Sequence, residues 1–327
     1  MSTILRLPPS LDEKRSLQFC TELNKCGQAA EVVLDVSTVR WAFPFGSLII
    51  GSQVRWLRKH AQVAFSLAGY DGGSQTHSYL AHIGFFQLLG FDIGKPPGGA
   101  AGGESYLPIT VLDHGSLFVG EILGGDTIHK AIQKKSEECA KLLTQSNKLT
   151  VVRPVSYCIR ELVRNVFEHS GSDECILGGQ RYKDGRVLVG IVDYGRGLRA
   201  SLAERYSVTS DIEAIKMAIR PGISRSVPDP ADENPWANSG FGLYTLANLG
   251  RRTGYFSVTS GQSVLQLREN GAAHAPAFHN GTAINLIFTK LHGTNLEDLI
   301  KQIIAEGERQ LQAEGKPVRA SKSTRTI

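Results

Sequence analysis

No Cys-x-x-Cys pair occurs in this sequence, and its five cysteines, Cys20, Cys26, Cys139, Cys158 and Cys175, are odd in number. That excludes the usual zinc and dithiol redox motifs and fits a reducing compartment better than a disulfide framework. No apolar run approaches the ~20 residues of a membrane span. The opening Met1-Ser2-Thr3-Ile4-Leu5-Arg6-Leu7 lacks the long apolar core of a signal peptide, so a cytoplasmic location without membrane contact is expected. There is no repeat at solenoid spacing. The glycine-rich run from Lys95 to Glu104 lacks the Gly-Lys-Ser/Thr ending of a P-loop and reads as a mobile surface connection. His274 and His279 have no nearby cysteine, which argues against a metal site there. An excess of charge is also missing. The formal net charge is +5, but four of the positive charges lie in Lys316–Ile327, which holds no acid. The body is therefore near neutral, and nucleic acid is an unlikely partner.

What is present is an ordinary globular composition, 41% hydrophobic and 20% charged, over a length that suits two domains. The pattern divides near residue 120. Glu31–Val36 and Ala61–Leu67 read as strands. A capping-box pattern at Ser10–Glu13 opens a helix to about Cys26, and Gly46–His60 and Ser78–Leu89 read as helices. This alternation predicts a small α/β domain over 1–120. A charged helical stretch follows in a connector, 121–148. A second domain runs over 149–313, and a basic disordered tail over 314–327.

The second domain is organised around Val155–Ser170, a run without proline or glycine. At helical spacing Val155, Ile159, Leu162, Val163 and Val166 form one apolar stripe, and Glu161, Asn165 and Glu168 fall together beside it. A mid-helix Asn next to Glu is unusual, because Asn favours caps. Downstream, Lys183-Asp184-Gly185 signals a hairpin between strands at 175–177 and 187–192. Asp193-x-Gly195-x-Gly197 follows the second strand. Gly240-x-Gly242 opens a helix to about Arg252, and paired strands are expected around Ser260-Gly261-Gln262. Gly281-Thr282 begins a last strand, and Asn295–Gln312 is an amphipathic helix.

In this order the four motifs resemble the GHKL ATPase fold, over about residues 150–290. The closest likeness is to anti-sigma-factor serine kinases, whose first motif also runs Glu-x3-Asn-x3-His, as Glu161, Asn165 and His169 do. The fold implied is α/β and α+β, a Bergerat sandwich with one mixed sheet covered by helices, and a signalling role of bacterial type. The resemblance implies ATP and Mg²⁺ as cofactors. Asn165 would offer its carbonyl oxygen to Mg²⁺, a hard ion that prefers oxygen. Asp193 would accept from the adenine amino group. Gly195 and Gly197 would let the backbone turn under the base. Gly240 and Gly242 would open a helix towards phosphate, and Thr282 would reach the adenine. Glu161 would be the catalytic base. Residues 198–239 correspond to the ATP lid, with Arg220 and Arg225 as surface residues or phosphate contacts. Glu168 reads as solvated or paired with an arginine, and His169 as structural.

Earlier in the chain, Val32-Val33-Leu34-Asp35-Val36-Ser37, an apolar loop ending in Gly46 and Leu88-Leu89-Gly90-Phe91 resemble a STAS domain of anti-sigma-factor antagonists. Where signalling members place a phosphorylatable serine before the glycine, this chain has Pro44 and Phe45, with Ser47 displaced. A structural or docking role follows. An ATP-driven switch acting on a protein partner is the expected function, with a protein serine/threonine kinase and a non-hydrolysing scaffold as alternatives. No phosphoacceptor histidine box supports a histidine kinase, and no transducer region follows Thr282. The helix at 295–312 either dimerises or packs on its own domain.

Overall fold

The computed structural model describes residues 3–100, 103, 105–118, 128–224, 239–289, 291, 295–316 and 319–325. Its class is mixed α/β. A five-stranded sheet carries β6 (Tyr106–Asp113), β7 (Glu174–Arg181), β8 (Val187–Val192), β10 (Gly271–Phe288) and β9 (Gly254–Arg268), in that spatial order. Every neighbouring pair in it is antiparallel. The expected mixed sheet is therefore corrected. Parallel pairing occurs elsewhere, in a three-stranded sheet of β1 (Thr3–Arg6), β3 (Glu31–Asp35) and β5 (Ala64–Ala68), and in the two-residue pair β2 (Ser10–Leu11) with β4 (Trp41–Ala42). The first division also shifts. Tyr106–Asp113 lies within the first 120 residues, but it forms the edge of the five-stranded sheet and runs into α5 (His114–Phe118).

One face of that sheet carries α7 (Leu149–Asn165) and α10 (Gly242–Thr253), with α6 (Ile128–Thr144) and α11 (Leu296–Ala313) packed on them. The stripe Val155, Ile159, Leu162, Val163 and Val166 is wholly buried there. So are Leu296, Ile300, Ile303, Ile304 and Leu311 of α11, which spends its apolar face on its own core. Asn295 caps α11 by accepting from the Asp298 amide. The helix α7 begins before Pro154, earlier than the sequence suggested. A proline this near the start removes only one backbone hydrogen bond.

The other face is covered by α1 (Glu13–Asn24) and α2 (Pro44–His60). Gly178 of β7 and Gly190 of β8 are paired in register. A β-carbon on Gly190 would stand 3.0 Å from Leu48 and 3.1 Å from Phe45. These two glycines make the shallow groove in which α2 lies. Glu13, the first residue of α1, accepts from Tyr255 Oη at 2.9 Å, Gln266 Nε2 at 3.2 Å and Asn285 Nδ2 at 2.8 Å. Apolar residues of the first hundred positions and of the five-stranded sheet thus share one core. Ser47 is buried, and its hydroxyl donates to the Phe43 carbonyl.

Several local expectations change. Asp12, not Ser10, caps α1, because Ser10 is taken into β2. The stretch at 78–89 is two helices, α3 (Gln75–His82) and α4 (Phe85–Leu89), divided at Gly84 where φ is +92°. No turn forms at Gly261. The strand β9 runs through it and meets β10 at Glu269-Asn270. Residues 319–325 of the expected disordered tail are folded, with a short helix α12 (Lys322–Arg325). The five cysteines are all buried and unpaired. Among the described residues, no helix is long and apolar enough to cross a membrane.

Candidate functional site

Where α7 ends, the backbone widens into a π turn, Val166–Ser170, terminated by Gly171 at φ +69°. The carbonyl of Ser170 accepts from the Arg196 amide, which ties this turn to the loop after β8. A cleft opens between α7, the end of β8, the start of α10 and β10. It is lined by Glu161, Asn165, Asp193, Gly197, Gly240, Gly242 and Thr282, among others. Seven of the eight residues singled out from the sequence meet in it. The eighth, Gly195, does not line the cleft. Its β-carbon would fall 2.2 Å from the Ser170 carbonyl, so its role is to let the loop pass beneath the π turn.

Asp193 is the most constrained group. It is 3% exposed. Its Oδ1 accepts from the Gly195 amide at 2.8 Å, and its own amide donates to Thr282 O at 2.9 Å. Burial raises the carboxyl from 3.8 to about 7, and the Gly195 and Thr282 backbone contacts only partly offset it. His279 is buried behind it and donates from Nε2 to the Asp193 carbonyl at 2.8 Å. Burial lowers that imidazole to about 4, so it is neutral near pH 7. On the front, Gly281 at φ +90° leaves room for the aspartate. A β-carbon there would lie 2.4 Å from Asp193 O and 2.6 Å from Oδ1. Ser260 closes the arrangement, accepting from the Leu198 amide and donating to Gly281 O.

At the other end of the cleft Glu161 is also buried. Its Oε1 accepts from Arg160 Nε and Nη2, each at 3.3 Å, and lies 3.5 Å from Arg164 Nη1. Its Oε2 points to the start of α10, 2.8 Å from where a Gly242 β-carbon would sit. Only glycine admits the carboxylate so close. The α10 N-terminus has no side-chain cap, and the Ser239 hydroxyl just before it is buried without a partner among the described residues. Those amides and that hydroxyl are donors awaiting an acceptor. Gly240, at φ +73°, packs against the backbone of Gly222 and Ile223. Asn165 lines the cleft one turn from Glu161.

Other expectations resolve simply. Glu168 pairs with Arg164 at 2.8 Å and His129 at 3.6 Å. Arg220 reaches Glu314 at the surface. His169 lines the cleft. Arg225 lies outside the described residues, as do 226–238 of the expected lid. The described part of that segment folds as α8 (Gly197–Ala203) and α9 (Asp211–Ala218), joined by a small core of Leu202, Ala214 and Ala218. Among the described residues, no group of three His, Cys, Asp or Glu could hold a metal ion. A cation at Asn165 would therefore need oxygens from a bound ligand.

Sequence reasoning missed Arg160 and Arg164, Ser260, and Ser321 with Thr324. The i, i+3 spacing of Glu161 and Arg164 was a usable signal. Arg160 meets Glu161 as its chain neighbour, whereas Ser321 and Thr324 reach the cleft, and Ser260 reaches Leu198 and Gly281, through tertiary structure alone. Compared with known proteins, the chain matches no family, no curated protein and no solved structure.

Proposed function

We propose that the cleft binds ATP with Mg²⁺ and that the protein is an ATP-driven switch acting on a protein partner, a member of the GHKL kind. The observation that carries this reading is the convergence of seven residues from four separate stretches of the chain on one cleft. The buried Asp193 carboxyl, with Oδ1 committed to Gly195, suits the exocyclic amino group of adenine. Gly197 and Thr282 flank it. At the far end, the uncapped amides of α10 and the Ser239 hydroxyl suit phosphate oxygens, reinforced by the helix dipole. Asn165 would complete the oxygen shell of a phosphate-bound Mg²⁺. Bound ATP supplies a phosphoryl group whose transfer the site can promote. Glu161 takes the proton of the attacking water, while Arg160 and Arg164 hold its carboxylate in place through Oε1. The α8–α9 pair, with a core of its own beside the cleft, is the element that ligand binding would reposition.

The test is Mg²⁺-dependent turnover of γ-labelled ATP by wild type and Glu161→Gln. Release of free phosphate that falls at least ~100-fold in the variant, with nucleotide still bound, is the expected result. A labelled protein band in place of free phosphate would make the protein a kinase. Binding of no nucleotide by wild type would overturn the reading.

A further inference from the structure

The segment Arg319–Arg325 is folded against the cleft. Ser321 and Thr324 line it. Thr324 is only 2% exposed, and Ala320 is buried in the main core. Glu308 of α11 holds the segment at both ends, accepting from the Ala320 amide at 2.9 Å and pairing with the Arg325 guanidinium. Within it, the two hydroxyls lie 2.9 Å apart, and the Thr324 amide donates to Ser321 Oγ at 3.3 Å.

Its position along the cleft follows from its anchor. Gly307, next to Glu308, packs so closely on α10 that a β-carbon would stand 2.7 Å from Tyr244 and 3.0 Å from Phe241. Phe241 sits between Gly240 and Gly242. The segment therefore lies at the α10 end of the cleft, away from Asp193. The cleft remains open with the segment in place, so the segment is a wall rather than a plug. It brings Ser321 and Thr324 to the cleft that Ser239 and the start of α10 also line.

We infer that this segment is a strap that completes the site, with Thr324, whose Oγ1 accepts from the Ser321 hydroxyl, donating a hydrogen bond to a phosphate oxygen of a bound polyphosphate. The inference rests on the nucleotide reading for the identity of the ligand, and on geometry for its place. A hydroxyl bonded to a charged oxygen contributes about tenfold in affinity. The strap touches the phosphate end only, so triphosphates depend on it and adenosine does not.

The experiment measures binding of ATP, adenosine and inorganic tripolyphosphate, each with Mg²⁺, to the full chain by calorimetry. Thr324→Val keeps the shape and removes the hydroxyl. Thr324→Ser keeps the hydroxyl and controls for packing. Glu308→Ala releases both anchors of the strap. The expected result is about tenfold weaker ATP binding in Thr324→Val, recovery in Thr324→Ser, a similar loss in Glu308→Ala and unchanged adenosine binding. Unchanged ATP affinity in Thr324→Val, or tighter binding in Glu308→Ala, overturns the strap. If wild type binds tripolyphosphate in a Thr324-dependent way but no adenine compound, the strap stands and the nucleotide reading fails. If wild type binds none of the three, both fail.

Discussion

Replacing Asp193 by Asn should make the protein more stable and less able to bind its ligand. The wild-type carboxyl is 3% exposed and is raised from 3.8 to about 7 by burial. A carboxyl with a raised folded value costs stability above its unfolded value. The penalty grows as pH rises from 3.8 and levels off above about 7. At about 1.4 kcal/mol per pH unit, it reaches about 4 kcal/mol near neutrality. Asn has no charge to desolvate and can keep the Gly195 contact through its carbonyl oxygen. The thermal midpoint of the ligand-free protein should therefore rise, by on the order of 5 °C. At the same position the amide NH₂ replaces Oδ2 and opposes another donor, so ATP affinity should fall by about 100-fold. Scanning calorimetry and titration of the two proteins side by side measure both effects. A variant that melts lower than wild type and binds ATP as well would refute the account of this carboxyl as a buried acceptor held for a ligand.

Three further outcomes follow from named contacts. His279 is lowered from 6.5 to about 4, so its contribution is lost as pH falls from 6.5 towards 4, by up to about 3 kcal/mol. That slope opposes the one from Asp193, so urea midpoints of wild type should be nearly flat across this window, while Asp193→Asn unmasks acid sensitivity and His279→Gln the reverse. Gly281→Ala forces a β-carbon into Asp193 O and Tyr194 Cα at φ +90°. It should cost about 2–4 kcal/mol in urea unfolding and abolish ATP binding. Glu13→Ala leaves Tyr255, Gln266 and Asn285 without their shared acceptor, and should lower stability by about 2 kcal/mol in the same assay without altering the cleft.

The parts of this structure legible in the sequence are those with a local cause. The apolar stripe from Val155 to Val166 gave α7, and Lys183-Asp184-Gly185 gave the β7–β8 hairpin with Gly185 at φ +86°. The residues that line the cleft were legible because glycine motifs at strand and helix ends leave a signature even at a distance of many residues. What was hidden depended on tertiary partners. The first part of β10, from Gly271 to Asn280, contains Pro276 and no alternation, and is a strand because β9 pairs with it. Tyr106–Asp113 looked like part of the first domain because sequence order does not reveal which sheet edge a strand joins. The segment around Thr324 has the charge of a solvated tail. Its fold depends on Glu308 and on a small buried alanine, neither of which stands out in composition.

The strand end at 192–194 joins two environments across one peptide bond. Successive side chains of an extended chain face opposite ways. Asp193 turns into the cleft, and Tyr194 turns the other way, where its hydroxyl donates to Glu174, itself gripped by Arg55 of α2 at 2.7 and 2.8 Å. The backbone between them is pinned by His279 and Thr282. That peptide unit carries a carboxyl on the cleft side and a phenol on the side of α2. The first hundred residues and the cleft aspartate are thus separated by one peptide unit, one phenol and one shared carboxylate.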